Sequence, residues 1–426
     1  MSISEAQVEN IKFENFIETK ENEDLFDKTK RLDKILKSDI LTGYEALGML
    51  SLNKLSSIVK IKEKDGFCHD VIMLGSNSYL NIANHPRVIN TAKKALEKYG
   101  LGMGAVSNYA GICELHKILE RKIANFYNCE DCILFPSGYG ANVGIISALC
   151  SKNDIIINDS ANHASIMDGC RLSGAQIKIY PHNNMRYLEK ILDNIPDSTT
   201  GRLIITDGVF SMDGDIAKLD KITDLAQKYR CKVMVDDAHG IGVVGKRGRG
   251  SASYYDVLDK IDLNVAMLSK APGGIGGFCA AKREIVQYLR IYSRTYFFST
   301  ALNASTTAGL IEVFNLFEKD MAGRKELLKK TKYLKDKLDK AGFNTGNPQS
   351  AIIPVMIYDE EKLFQLYQEL RYEGVYVNIV TYPATRRKEC RLRLCVMKDL
   401  AYCELDRAAD IIIKKGIEYG IIKNEP

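Results

Sequence analysis

Two segments hold the residues best suited to chemistry. The apolar run Cys231-Lys232-Val233-Met234-Val235 ends in Asp236-Asp237-Ala238-His239-Gly240. Further on, Ala266-Met267-Leu268 ends in Ser269-Lys270, ahead of Ala271-Pro272-Gly273-Gly274-Ile275-Gly276-Gly277. One strand that ends in an acid, and another that ends in Ser-Lys before a glycine-rich turn, bring a carboxylate and an amine to one edge of a sheet. Such an amine can form a Schiff base with an aldehyde. Such an acid can pair with a protonated pyridine nitrogen and keep the ring an electron sink. The combination points to pyridoxal 5'-phosphate (PLP), attached at Lys270. Alternation along a strand sends Asp236 and Asp237 to opposite faces, so only one of them reaches the ring.

The elements that position these residues are legible as alternating patterns. Val71-Ile72-Met73-Leu74, Ile133-Leu134-Phe135, Asp154-Ile155-Ile156-Ile157, Leu203-Ile204-Ile205-Thr206 and Val233-Met234-Val235 are short apolar runs separated by helical patterns. That texture predicts an α/β fold with a mostly parallel sheet covered on both faces by helices. Ligands of such sheets lie beyond the carboxyl ends of the strands. Helices are expected to begin after His85-Pro86, near Ala141 and near His163. A long helical stretch is expected from Ala304 to about Leu338. Strands are expected at 352–357, 375–379 and 390–395, and a last helix at 405–417. The domains read as a helical N-terminal extension over 1–65, a large domain over 66–300 and a smaller α+β domain over 301–426. In the extension Leu32, Ile35, Leu36 and Ile40 recur at helical spacing.

Composition sets limits. The 426 residues carry a net charge of +5 and no arginine-rich block, so nucleic acid is not an expected partner. No run is long and apolar enough for a transmembrane helix, and no signal-peptide pattern opens the chain. The 11 cysteines are odd in number and scattered, which favours free thiols and a cytoplasmic location over a disulfide framework. Cys129-Glu130-Asp131-Cys132 has metal-like local spacing, but no matching second pair follows, and no metal is expected.

Further motifs surround the lysine. Ser137-Gly138-Tyr139-Gly140-Ala141-Asn142 leaves a strand and opens a helix, where small residues let backbone N–H groups approach a phosphate. Arg391-Leu392-Arg393 offers planar guanidinium groups suited to a carboxylate. Gly75-Ser76-Asn77-Ser78-Tyr79-Leu80, Gly111 to Glu120, Asn162-His163-Ala164-Ser165 and Asp207 to Asp215 fall between or before these segments. In this order, from about residue 70 to the C-terminus, the chain resembles the α-oxoamine synthases. These are PLP enzymes of the aspartate-aminotransferase fold (fold type I). They include serine palmitoyltransferase, 8-amino-7-oxononanoate synthase, 5-aminolevulinate synthase and 2-amino-3-ketobutyrate CoA ligase.

The resemblance implies roles. Lys270, His163, Asp236 and His239 are the catalytic set. Gly138, Tyr139, Ser211 and Ser269 contact the cofactor as well. His163 stacks on the ring, Asp236 pairs with the pyridinium and His239 donates to the phenolic oxygen. Thr300, in Phe298-Ser299-Thr300-Ala301-Leu302, reaches the phosphate of the other subunit, so a homodimer with shared sites is implied. Asn77 and Arg391 hold the substrate carboxylate, with Arg393 as the second choice. His116 is read as a packing residue, and Asp213 and Asp215 as shaping a turn.

The sequence departs from the family at several points. Asn81 stands where a glycine is usual, Asp207 where a glutamate is usual, and Asn303-Ala304 where prolines are usual. Met267 replaces the threonine whose hydroxyl grips the phosphate. The implied reaction is decarboxylative condensation of a small amino acid with an acyl thioester, on coenzyme A or on a carrier protein, to a 2-amino ketone. The Gly75–Leu80 segment and the N-terminal extension look most like the serine-palmitoyltransferase-like branch. The competing readings are an aminotransferase or another PLP enzyme on the same fold, since fold does not settle chemistry, and a non-catalytic partner subunit.

Overall fold

The computed structural model describes residues 17–36, 49–196, 201–319, 321–382, 384–386 and 388–423. A helix spans Asp27–Leu36, and Ile40 of the expected helical pattern lies outside the described residues. The rest of the described N-terminal region is not helical. Strands β1 (Leu50–Ser51), β2 (Ile58–Lys62) and β3 (Cys68–Met73) form an antiparallel meander. Val59 and Ile61 are buried while Lys60 and Lys62 are exposed, and this period of two selects a strand.

The large sheet contains β4 (Asp131–Phe135), β5 (Asp154–Asp159), β6 (Gln176–Tyr180), β7 (Gly201–Asp207), β8 (Lys232–Asp236), β9 (Leu263–Met267) and β10 (Gly277–Ala281). Its order is β4-β10-β9-β8-β7-β5-β6. The pairs from β6 to β9 are parallel, and β10 runs antiparallel to both β9 and β4. Two reversals leave β4 parallel to β9. The carboxyl ends of β4, β5, β7, β8 and β9 therefore share one edge of the sheet. The central strands are buried on both faces, as their uninterrupted apolar runs require.

Helix Gly138–Leu149 begins earlier than the apolar pattern indicates, because Ser137 Oγ accepts the Gly140 N–H at 2.9 Å and caps it. The stretch from Ala304 is two helices, Ala304–Lys319 and Met321–Lys340. Arg324 Nη1 donates to the Phe317 carbonyl at 2.9 Å and satisfies an acceptor at the end of the first helix.

The remaining strands are β11 (Ile352–Met356), β12 (Val375–Tyr376), β13 (Asn378–Val380) and β14 (Arg391–Cys395). The run at 375–379 is divided between two sheets. β12 pairs in parallel with β3, whereas β13 pairs with β14 beside β11. The buried Val377 marks the crossing.

A buried ion pair ties the N-terminal meander to the C-terminal half. Arg371, on helix Glu360–Tyr372, holds Glu63 through both Nε and Nη2, and His69 Nε2 lies 3.0 Å from the same carboxylate. Replacing Glu63 by alanine leaves a guanidinium charge inside the protein and should cost about 3 kcal/mol, read as a lowered denaturant midpoint. Replacing Asp336, which pairs with Lys332 on an exposed helix face, should change stability by less than about 0.5 kcal/mol.

Candidate active site

A cavity of about 180 Å³ opens at the shared carboxyl edge of the large sheet. Lys270, His239, Asp236, His163, Ser211, Ser269, Gly138 and Tyr139 all line it, although they come from different strand ends. Lys270 Nζ lies 2.8 Å from His239 Nε2, and His239 Nδ1 lies 2.7 Å from the Tyr79 hydroxyl. Burial holds the His239 imidazole well below its ordinary pKa and holds the Tyr79 phenol well above its own, so both are neutral. The contacts allow two arrangements: a charged amine donates to Nε2 while Nδ1–H donates to the Tyr79 oxygen, and a neutral amine accepts from Nε2–H while Tyr79 donates to Nδ1.

Burial, opposed by the nearby Asp236 and Asp207, brings the Lys270 amine down to about 8. Asp207 and Asp236 are paired residues on parallel strands. The Asp207 carboxyl is pushed well up by burial and then by Asp236, and its Oδ1 is buried without a partner among the described residues. Asp236 is better supplied: Oδ1 accepts the Ala238 N–H at 3.1 Å and Oδ2 accepts from Asn142 at 2.6 Å. Asp237 points the other way and accepts the Ser251 N–H at 2.7 Å.

His163 sits at the exposed rim and caps helix Ala164–Ser173, with Nδ1 accepting the Ser165 N–H at 3.2 Å. Gly138 stands against Met267. A Cβ at Gly138 would come within 1.7 Å of the Met267 sulfur. The thioether thus occupies the space beside the glycine turn and offers no donor there. The donors available to a phosphate are the Ser269 hydroxyl and the first N–H groups of helix Gly138–Leu149.

Thr300 does not line this cavity. It is exposed, in an isolated bridge with Val106. Asn77 Oδ1 accepts from Arg393 Nη2 at 3.1 Å and lies 3.4 Å from the Tyr79 hydroxyl. Arg393 Nε donates to the Ser211 carbonyl, and among the described residues no carboxylate pairs with Arg393. Arg391 is committed elsewhere: it pairs with Asp213 and donates from Nε to the Glu389 carbonyl at 2.9 Å. Asp215 bonds His182 at 2.9 Å, so both acids of that turn have structural partners.

His116 bridges the Cys113 N–H and the Leu302 carbonyl, which is a packing role. Asn81, at φ +50°, keeps the left-handed turn in place of glycine. The residues present fit PLP. A carboxylate held by two donors, a second buried carboxyl with one unpartnered oxygen among the described residues and a flat imidazole surround the lysine, and a helix start stands at the other end. Tyr79, Asn142, Ser165 and Asp207 have roles that their motifs alone did not assign. Among the described residues no cluster of His, Cys, Asp and Glu could hold a metal, and no helix is long and apolar enough to cross a membrane.

Comparison with known proteins agrees with this geometry. The family described as aminotransferase class I and II matches residues 69–412. The chain is similar to an 8-amino-7-oxononanoate synthase of Thermoanaerobacter pseudethanolicus, 44% identical over 353 residues, which is 83% of this chain and 89% of that protein. Its fold is similar to that of Sphingomonas wittichii serine palmitoyltransferase. That match has a TM-score of 0.89 and 32% identity, and covers 94% of this chain and all of the other. A serine palmitoyltransferase solved with PLP matches with a TM-score of 0.88 and 31% identity over the same share. The chain belongs to the aminotransferase class I and II family and, within it, to the α-oxoamine synthases, PLP-dependent C-acyltransferases of fold type I. These enzymes join an amino acid to an acyl thioester with loss of carbon dioxide, and the aminotransferase reading gives way to that one.

Only the neutral amine attacks an aldehyde, so the Lys270 value sets a pH dependence. Cofactor uptake by PLP-free protein should accelerate about tenfold per pH unit below pH 8 and level off above it. Stopped-flow absorbance reads this directly. Acceleration that continues past pH 10 would show an ordinary, solvated lysine.

Proposed function

We propose that this chain condenses a small amino acid with an acyl thioester through Lys270, with Arg393 as the carboxylate anchor. The observation that carries this reading is the placement of Arg393. It is buried, bonded to Asn77 and near Lys270, and it lacks the carboxylate partner that occupies Arg391. The preference between the two arginines is thereby the reverse of the one the motif suggested. A guanidinium held by Asn77 and the Ser211 carbonyl has fixed orientation and free N–H groups for a substrate carboxylate.

PLP, when bound, supplies an aldehyde for amino groups and an electron sink for the bond broken at Cα. Lys270 holds the cofactor and, once displaced by the substrate amine, takes the Cα proton as general base. His239 and Tyr79 hold that amine in place. Asp236 would pair with the ring nitrogen. His163, at the rim with Nδ1 facing Ser165, presents its other ring nitrogen to the carboxylate or to the new carbonyl oxygen. Cα then bonds to the acyl carbon as the thioester C–S bond breaks and the thiol leaves with a proton. The bond between Cα and the carboxylate breaks to release carbon dioxide, and a proton delivered to Cα by Lys270 completes the 2-amino ketone.

The enzyme works as a homodimer in the cytoplasm. Leu101, Tyr109 and Phe298 are large and exposed at 83%, 76% and 68%, on the segments that carry Val106 and Thr300. Exposed apolar side chains of that kind are suited to a second copy. Thr300, exposed in one subunit, then faces the cofactor phosphate of the other. All eleven thiols are free, in keeping with a reducing compartment.

Mass spectrometry of PLP-loaded protein with pooled amino acids and acyl thioesters should show a product equal to both substrates less thiol and carbon dioxide, only when thioester is present. Keto acids formed without thioester would make the protein an aminotransferase. With the substrates named, Arg393→Lys should raise KM for the amino acid about 10- to 100-fold, and Arg391→Lys should leave it within about threefold. The reverse pattern would return the anchor to Arg391.

A further inference from the structure

Asn142 is wholly buried on helix Gly138–Leu149, the helix whose start faces the cavity. Its Nδ2 donates twice, to Asp236 Oδ2 at 2.6 Å and to Ser165 Oγ at 2.9 Å. Its Oδ1 has no partner among the described residues. The two acceptors set the orientation of the amide, since a flip would press Oδ1 against a carboxylate oxygen.

The two recipients lead to opposite sides of the site. Asp236 receives Asn142 on one oxygen and the Ala238 N–H on the other, so it is held by neutral donors that leave its charge intact. Ser165 uses its oxygen to accept from Asn142 and therefore turns its own hydroxyl hydrogen to His163 Nδ1, 2.7 Å away. The Ser165 backbone N–H donates to that same nitrogen. Two donors on Nδ1 leave the imidazole proton on Nε2, the nitrogen free to meet a reacting group.

We propose that Asn142 is a positioning residue that couples the acid and the imidazole of the cofactor site, holding Asp236 as a charged acceptor and His163, through Ser165, as an Nε2–H donor. The proposal rests on the reading of Lys270 and Asp236 as a PLP site. It explains why an amide stands here. A hydroxyl has one hydrogen and cannot serve both acceptors. A lysine or arginine would neutralise Asp236, and a carboxylate would repel it.

The test uses Asn142→Asp, Asn142→Ala and Ser165→Ala in the full-length chain, with two readouts that need no turnover. The first is the PLP dissociation constant, from absorbance titration of cofactor-free protein. Both Asn142 variants should weaken PLP binding about 10- to 100-fold, as expected for a lost hydrogen bond to a charged group, and Ser165→Ala should stay within about threefold. The second is the His163 tautomer in cofactor-free protein, from imidazole 15N spectra assigned with His163→Gln. The unaltered protein should show Nε2–H alone, whereas Asn142→Ala and Ser165→Ala should populate both tautomers. Asn142→Asp keeps the shape of the residue, so PLP affinity unchanged in that variant would reduce Asn142 to a space-filler and overturn the proposal. If that variant does not fold, unchanged affinity and an unchanged tautomer in Asn142→Ala overturn it equally. An unaltered protein that takes up no PLP would instead overturn the functional reading, and the proposal with it.

Discussion

The amine of Lys270 must shed its proton near neutral pH while it stands beside two acids that would keep it charged. Burial and the nearby guanidinium of Arg393 pull its pKa down, and Asp236 and Asp207 pull it up. The balance depends on how charge is shared between the two acids. Desolvation pushes the Asp207 carboxyl up, and its Oδ1 has no donor among the described residues, whereas both oxygens of Asp236 accept hydrogen bonds. Groups of one type, on adjacent strands, are thus separated by their surroundings. If both were charged, the lysine would stay protonated. In the proposed reading, one of them must stay ionised as the counter-ion of the ring nitrogen.

The second acid of the Asp236-Asp237 pair shows what the opposite face of the strand requires. Asp237 is buried, and burial brings its carboxyl up to about 7. Three glycines crowd it. A Cβ at Gly208, Gly240 or Gly250 would come within 2.4, 1.9 or 1.5 Å of a carboxylate oxygen. Gly250 also has φ +82°, which other residues adopt only with strain. The glycines that flank the motif are therefore there to let backbone close around a carboxyl group on the structural side, while the cofactor side stays open.

Much of this organisation is legible in the sequence, because buried parallel strands must be apolar throughout and the residues that leave them must be polar. Ile155-Ile156-Ile157 and Val233-Met234-Val235 mark strands, and His163 and Asp236 follow at their ends. The strand at Ile58–Lys62 is harder to see, since a short alternating run inside a charged region is overshadowed by the helical spacing of Leu32, Ile35 and Leu36. The division at Val377 depends on two sheets competing for one segment, which no local pattern expresses. The arginines of β14 cannot be ranked from the motif, because Arg391 and Arg393 share a face of the strand and differ in the partners that other segments bring to each, Asp213 to Arg391 and Asn77 and the Ser211 carbonyl to Arg393. Asn142 carries no sequence signal beyond its place one turn into a helix that starts at a glycine-rich turn.

The antiparallel strand β10 lies between β9 and β4 and is the last of the large sheet to be made. Until it docks, the glycine turn after β4 and the lysine after β9 belong to separate pieces of chain. As the chain leaves the ribosome, residues near 137 wait for residues beyond 277 before the two halves of the cavity can meet. This is long-range closure, which is slow because its entropy is lost before its contacts form. The two sides of the cavity are therefore joined within the sheet only through a strand that follows both of them in the chain.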